Sequence, residues 1–414
     1  MKCRTHIVVL ALLQCVSLAL ISSAFAEPLA SSSRHALAPL APQGRWVVQL
    51  ESRSNTYDQW YDNSGNLHEL GSELNAVSLD NAIFPALTLF GPGASLGTTS
   101  FSASTRLKRA QLTLGYGITK DLTVGIISNY GETKTDTRFS VRNGNIGFNP
   151  LFNPAIAIGP ANFPFAPVGA GALAPMTASD INVILTNPAF GYAYEPIAST
   201  KTRGFGEFIM GVLWRFYSGS YGTLVAGSGL RMSLANNDNP DNLFDIPLDD
   251  GSNDALLQLE YFNDFGDLLD VRVMTKRTIQ FKDHVTKRVP APGQLLATAA
   301  SKENLTRNLG DFWEYDVELG VHTGNWRVAG TWHRYIKSRD SFVSARGQNT
   351  AALSAFTDIK ADQWRASVSW SGIEAWQQKV IPLPIIAKLE YQKTYKGRNM
   401  PKVTDIYLLL TTFF

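Results

Sequence analysis

From residue 45 onwards the chain repeatedly alternates apolar and polar positions. The period is two, that of a β-strand whose successive side chains face opposite sides. In the last stretch, Val403 to Phe414, Ile406, Leu408, Leu410 and Thr412 share one face. Asp405, Tyr407, Leu409, Thr411 and Phe413 share the other. Eleven earlier segments behave alike: near 45–53, 110–116, 122–130, 208–216, 223–234, 255–261, 269–273, 313–322, 326–332, 363–370 and 385–392. Short turns such as Thr119-Lys120-Asp121, Ser218-Gly219-Ser220 and Thr323-Gly324-Asn325 follow the even-numbered segments, and mostly longer loops follow the odd ones. An even strand number, with short turns at one rim and long loops at the other, is the pattern of a single-chain bacterial membrane barrel with both termini in the periplasm. The expectation is an all-β chain: a transmembrane antiparallel β-barrel of about 12 strands with long extracellular loops. The alternative is 14, since loops 58–104 and 282–310 are long enough to hide strands.

Composition agrees. Charged residues make up 17% and hydrophobic ones 44%, against about 25% charged in ordinary soluble chains. A barrel with one lipid-facing side and one polar side has that balance. The amino terminus has the parts of a secretory signal, expected over 1–26: Lys2 and Arg4, the apolar run Ile7 to Leu20, and Ala24-Phe25-Ala26. Residues 27–43, rich in Ala, Pro and Ser, read as a flexible periplasmic lead, and 44–414 as the barrel. Cleavage removes Cys3 and Cys15, so thiolate metal sites and disulfides are not expected. It also removes Lys2 and Arg4 and no acids, taking the formal +2 to zero and arguing against nucleic acid as a partner. No later run is long and apolar enough for a spanning helix. The terminal Phe414 resembles the signal by which outer-membrane barrels engage their assembly machinery. Trp46, Trp214, Trp313, Trp326, Trp364 and Trp370 fall near strand ends, where rings prefer the membrane interface. The expected setting is the outer membrane of a Gram-negative bacterium, with its lipids as partners.

The expected lumen face carries Arg215, Arg231, Arg272, Lys276, Arg327, Arg365 and Lys388 beside Glu207, Glu260, Glu314, Asp316, Glu318 and Glu390. Two readings apply: an ion-paired filling, or a constriction that selects solutes by charge. The glycines at 115, 117, 125, 227 and 229 read as space for lumen packing. Segment 131–203 is unusual for an exposed loop, because it is apolar and almost uncharged from Ile146 to Ser179. A surface that greasy should be buried. The expectation is a lid or plug that either enters the barrel mouth or packs on loop 58–104. It would gather Phe148, Phe152, Phe163 and Phe165 with Phe84, Leu87 and Phe90 around an apolar pocket. Catalytic signals are weak: no His-x-Ser occurs, and no phosphate-binding or dinucleotide glycine motif. His322 and His333 lie on neighbouring strands and could pair. No cofactor or metal is expected.

Gly115-Tyr116-Gly117-Ile118-Thr119-Lys120-Asp121-Leu122-Thr123-Val124-Gly125-Ile126 resembles a hallmark hairpin of the outer-membrane barrel family associated with the meta-pathway of phenol degradation. Gly204-Phe205-Gly206-Glu207 and Asp249-Asp250-Gly251-Ser252 resemble its pattern too, although Glu207 stands where Asp is expected. The family is similar in architecture to outer-membrane transporters of fatty acids and aromatic hydrocarbons. The resemblance implies passive uptake of small hydrophobic or aromatic molecules and carries no functional residues over. Two rivals stay open: a structural or adhesion-type barrel, and a barrel hydrolase.

Overall fold

The computed structural model describes residues 40–414 apart from 154, 160, 235–238, 244–245, 293 and 295. The expected signal peptide, and the lead up to residue 39, lie outside the described residues. Twelve strands close one antiparallel barrel in chain order. They are β1 (Trp46–Tyr57), β2 (Thr98–Gly117), β3 (Leu122–Arg142), β4 (Thr200–Gly219), β5 (Gly222–Ser233), β6 (Asp254–Phe265), β7 (Leu269–Gln280), β8 (Phe312–Thr323), β9 (Trp326–Lys337), β10 (Ile359–Ser371), β11 (Ile385–Arg398) and β12 (Thr404–Phe413). The seam joins β12 to β1, from Val47 opposite Phe413 to Thr56 opposite Thr404. Phe414 extends it: its amide donates to the Trp46 carbonyl at 2.9 Å and its carbonyl accepts from the Trp46 amide at 3.2 Å. Closure removes sheet edges, so the backbone polar groups of the strands are paired within the barrel, as a hydrocarbon surrounding demands.

The outer face is a wall of exposed apolar side chains, among them Leu257, Leu259, Val317, Leu319, Ile406 and Leu408. Aromatic rings gather at its rims. Near the short turns, Trp46 packs on Tyr116 with centroids 5.0 Å apart, Trp214 on Phe216 at 5.7 Å, and Trp326 pairs with Trp370. Towards the long loops, Trp313 stacks on Tyr315 at 6.0 Å, and the Trp332 indole donates to the Tyr395 hydroxyl at 3.1 Å. Two such girdles bracketing an apolar band are what a barrel shows to a bilayer.

Three strands outrun the membrane. β2, β3 and β4 have 20, 21 and 20 residues, where about 9–11 suffice to cross. Their outer halves carry charge, including Arg106, Lys108, Glu132, Lys134 and Asp136. Pairs such as Lys201–Glu132 at 3.0 Å stand in solvent. Apolar alternation therefore ends before the strands do, and the true loops are 58–97 and 143–199. The long loops do hide strands, Gln59–Tyr61, Leu67–Glu69, Asp283–Arg288 and Lys302–Asn308. They form small separate sheets, so the barrel count stays at twelve.

The loops are tied together. Arg288 reaches Asp241 at 2.6 Å and the carbonyls of Tyr192 and Ala193 at 2.5 and 2.8 Å. Lys302 reaches the other Asp241 oxygen at 2.5 Å. Burial alone would raise the Asp241 carboxyl, but hydrogen bonds from Lys302 and Arg288 hold it below its ordinary value.

Candidate permeation pathway

A belt of ion pairs lines the inner face from β6 round to β1. The Arg272 Nε donates to Glu260 at 3.0 Å, and Lys276 meets Glu314 at 2.6 Å. Arg327 donates to both oxygens of Asp270, at 2.8 and 2.6 Å, and to Glu318 at 2.5 Å. Asp316 takes His333 at 2.5 Å and Arg365 at 3.5 Å. Lys388 meets Glu390 at 2.6 Å, and Arg53 donates to Asp405 at 2.8 Å while covering the Tyr407 ring. Asp270 and Asp405 are wholly buried. A buried carboxylate needs such partners, because taking it from water unpaired costs several kcal/mol.

The opposite half of the ring is different in kind. Gly115 pairs with Gly125, Gly125 with Gly211, and Gly211 with Gly229. One glycine from each of β2, β3, β4 and β5 thus stands in an unbroken row across the inner face. A Cβ on Gly211 would lie 2.7 Å from the Ser228 carbonyl, and one on Gly229 2.8 Å from that of Met210. The wall bends too tightly there for side chains, as glycine kinks allow. Ile127, Ile209, Leu213 and Leu256 flank the row. At this level the lumen expected to be polar throughout therefore has one ionic half and one uncharged half, in which glycines and apolar side chains stand with a few neutral polar ones such as Gln111, Thr113 and Thr123.

Between the halves lies a cavity of about 590 Å³, within the size range of small-molecule sites. A second, of about 310 Å³, lies towards the long loops and is lined by Arg109, Glu207, Arg231, Asp250 and Glu314 among others. Ile209, Leu256 and Lys276 line both, and so form the neck between two chambers. The upper chamber is roofed by residues 248–250. Arg109 donates to the Leu248 carbonyl at 2.9 Å, Arg231 to Asp250 at 3.1 Å, and Ser233 to Asp249 at 2.8 Å. Asp249 and Asp250 of this anchored segment belong to Asp249-Asp250-Gly251-Ser252, one of the stretches that carry the family resemblance. At the other end, Ala41 donates to Thr123 at 2.9 Å, and Leu40 lines the lower chamber. Gly117 permits that approach: a Cβ there would lie 2.2 Å from the Pro42 carbonyl. The last residues of the lead are thus packed against the inner wall.

The apolar segment packs on its neighbouring loop. Phe84, Leu87 and Phe165 are buried in one cluster with Ile146, Met176 and Ile181, and Phe90, Phe148 and Phe163 pack against it. Phe163 meets Phe90 at 5.7 Å and Phe165 at 5.6 Å, centroid to centroid. Helix α1 (Ala178–Thr186) contributes Ile181, Ile184 and Leu185, and begins at a capping box between Thr177 and Asp180. Phe152 is half-buried and stands apart from this cluster.

Of the lumen residues anticipated from the alternation, Arg231, Glu260, Arg272, Asp316, Glu318, Arg327, Arg365, Lys388 and Glu390 all carry inner-wall ion pairs. Arg215 does not join them. At a strand irregularity near the short turns it donates to the Asp121 carboxylate at 2.9 Å and to the Lys120 carbonyl. His322 and His333 do not pair with each other: His322 lies 2.5 Å from Asp270, and His333 takes Asp316. Asp270, Asp405 and Arg53 are key members that sequence reasoning left out, although each sits on the inner face by alternation alone.

No family model matches the chain, and no curated protein sequence does. The phenol-degradation resemblance therefore rests on its hairpin residues. Among solved structures, the COG4313 outer membrane channel from Pseudomonas putida F1 is similar, with a TM-score of 0.51 at 10% identity over 90% of this chain and 96% of that one. The TodX deltaS2S3 mutant monoaromatic hydrocarbon channel gives 0.38 at 11% identity, over 93% and 94%. The translocator domain of the autotransporter NalP from Neisseria meningitidis gives 0.39 at 8%, over 92% and 92%. The class defined by the fold is the twelve-stranded outer-membrane β-barrel.

Proposed function

We propose that this chain is a passive outer-membrane channel for small molecules with an apolar or aromatic body. The observation that carries this reading is the lower chamber. It is open space held between a glycine wall and an ion-paired wall, large enough for a monoaromatic molecule. A barrel built only to scaffold or adhere gains nothing from such a row, since filling the lumen with side chains would stabilise it further. The similar COG4313 barrel is described as a channel, which agrees. The hydrolase rival finds less support. Both buried histidines are engaged by belt acids, and Thr331, a hydroxyl tied into the belt, donates to Glu318 at 2.8 Å.

Expression in a porin-poor Gram-negative host tests this. Uptake of a labelled neutral monoaromatic such as benzyl alcohol should rise several-fold over cells without the barrel. Uptake of maltoheptaose, too bulky for the neck at Ile209, Leu256 and Lys276, should not change. Equal benzyl alcohol uptake with and without the barrel would leave the structural reading in its place.

A further inference from the structure

The ion pairs of the belt share an orientation. Arg272 keeps 26% of its side chain exposed against 2% for Glu260, Lys388 25% against 9% for Glu390, and Arg53 26% against none for Asp405. Arg365 over Asp316 and Arg327 over Asp270 follow the same order. The cause is reach. Short acids sit at the strand surface and are covered, while long basic side chains pass over them and leave their charged heads in the open. The belt is balanced in count but not in what a solute meets. The charged residues lining the lower chamber are Arg272, Lys276, Arg327 and Lys388 with the single acid Glu318. Glu51, half-buried beside Arg53, is a further inward acid and leaves the balance positive. The upper chamber is lined by Arg109, Arg231 and Lys276 against Glu207, Asp249, Asp250 and Glu314, so an excess of basic groups belongs to the lower chamber alone.

We propose that the lower chamber selects anions, and that its solutes are small monocarboxylates carrying an apolar or aromatic body. This rests on the channel reading and deepens it. The apolar body lies along the glycine row with Ile127 and Leu213, and the carboxylate faces the Arg and Lys heads across the chamber. Basic side chains lining a pore select anions in this way, and charge-assisted hydrogen bonds to a carboxylate are the stronger kind. Each head already has an acid beneath it, so a passing carboxylate shares a cation and is held weakly enough to leave, as conduction requires.

The mature chain in planar bilayers, under a tenfold potassium chloride gradient, provides the test. The reversal potential should have the sign of an anion-preferring pore, with chloride permeating several-fold better than potassium. Under the same gradient benzoate should permeate several-fold better than benzylammonium, which should carry little current. The double variant Lys276→Gln with Lys388→Gln should bring the chloride-to-potassium ratio towards one, with heat-modifiable migration on gels checking that it still folds. Conductance with a wild-type ratio at or below one, or benzylammonium passing as readily as benzoate, overturns the anion preference while leaving the channel. Absence of any conductance overturns the channel reading and this inference with it. The wild-type ratios need no variant, so a folding failure of the double variant does not shield the proposal.

Discussion

Replacing Arg327 by methionine should lower the free energy of unfolding of the barrel by about 3–5 kcal/mol, the usual cost of breaking a buried pair from one side. Arg327 is the cation between Asp270 and Glu318, with three contacts of 2.8 Å or less. Its loss leaves two buried carboxylates on adjacent strands with less charge to face. His322 remains beside Asp270, and Thr331 beside Glu318, but neither restores a bidentate guanidinium. Arg215→Met is the control. Its partner Asp121 is partly exposed at a turn, and surface pairs are worth about 0–1 kcal/mol. Urea unfolding in micelles, followed by tryptophan fluorescence, compares the two. Equal small losses would mean that water in the lumen screens the belt and that it does not hold the wall together.

Phe165→Asp should open the extracellular cap and leave the barrel closed. The Phe165 ring is buried, stacks on Phe190 at 5.9 Å and meets Phe163 edge-on. Truncating a buried phenylalanine costs about 3–5 kcal/mol, and an unpaired carboxylate placed there adds to that. The buried members of the cluster come from loops 58–97 and 143–199, with Phe139 and Val141 at the outer end of β3 and Leu296 packed at its edge. The expected result is rapid proteolysis within 143–199 together with normal heat-modifiable migration. Uptake of benzyl alcohol should fall if the aromatic cap gathers solute before the neck. Unchanged uptake with the loop cleaved would make the cap a purely structural cover.

The twelve strands were legible because lipid imposes alternation. Every membrane-crossing segment has to present an apolar side, and short turns break the runs at one rim. The same reason explains what was not legible. Outside the bilayer β2 and β3 have no apolar side to keep, so Arg106 to Lys108 and Glu132 to Asp136 looked like loop. The strands Asp283–Arg288 and Lys302–Asn308 were hidden in the same way. For the candidate site, alternation assigns a face but not a partner. Glu260, Arg272 and Glu318 could be placed on the inner wall, yet nothing in the chain aligns Asp270 with Arg327 two strands away. The glycines at 115, 125 and 229 were visible as spacers. Their row with Gly211 depends on register across four strands, which is a property of the closed sheet. The apolar cap was legible through its missing charge. The segment 248–250 was not, because an acidic loop gives no sign that Arg109 and Arg231 will draw it inward.

The central claim is that solutes pass through the chamber between the glycine row and the ionic belt. Thr113 lines that chamber, and Leu230 points outward from the neighbouring wall. Both cysteines, Cys3 and Cys15, lie before residue 27, so in a chain begun at residue 27 Thr113→Cys and Leu230→Cys can be modified singly with a bulky, membrane-impermeant thiol reagent. Single-channel current in planar bilayers is the readout. The account predicts that current through Thr113→Cys falls sharply on modification and that current through Leu230→Cys does not change. An unaltered current through a fully modified Thr113→Cys barrel would contradict it.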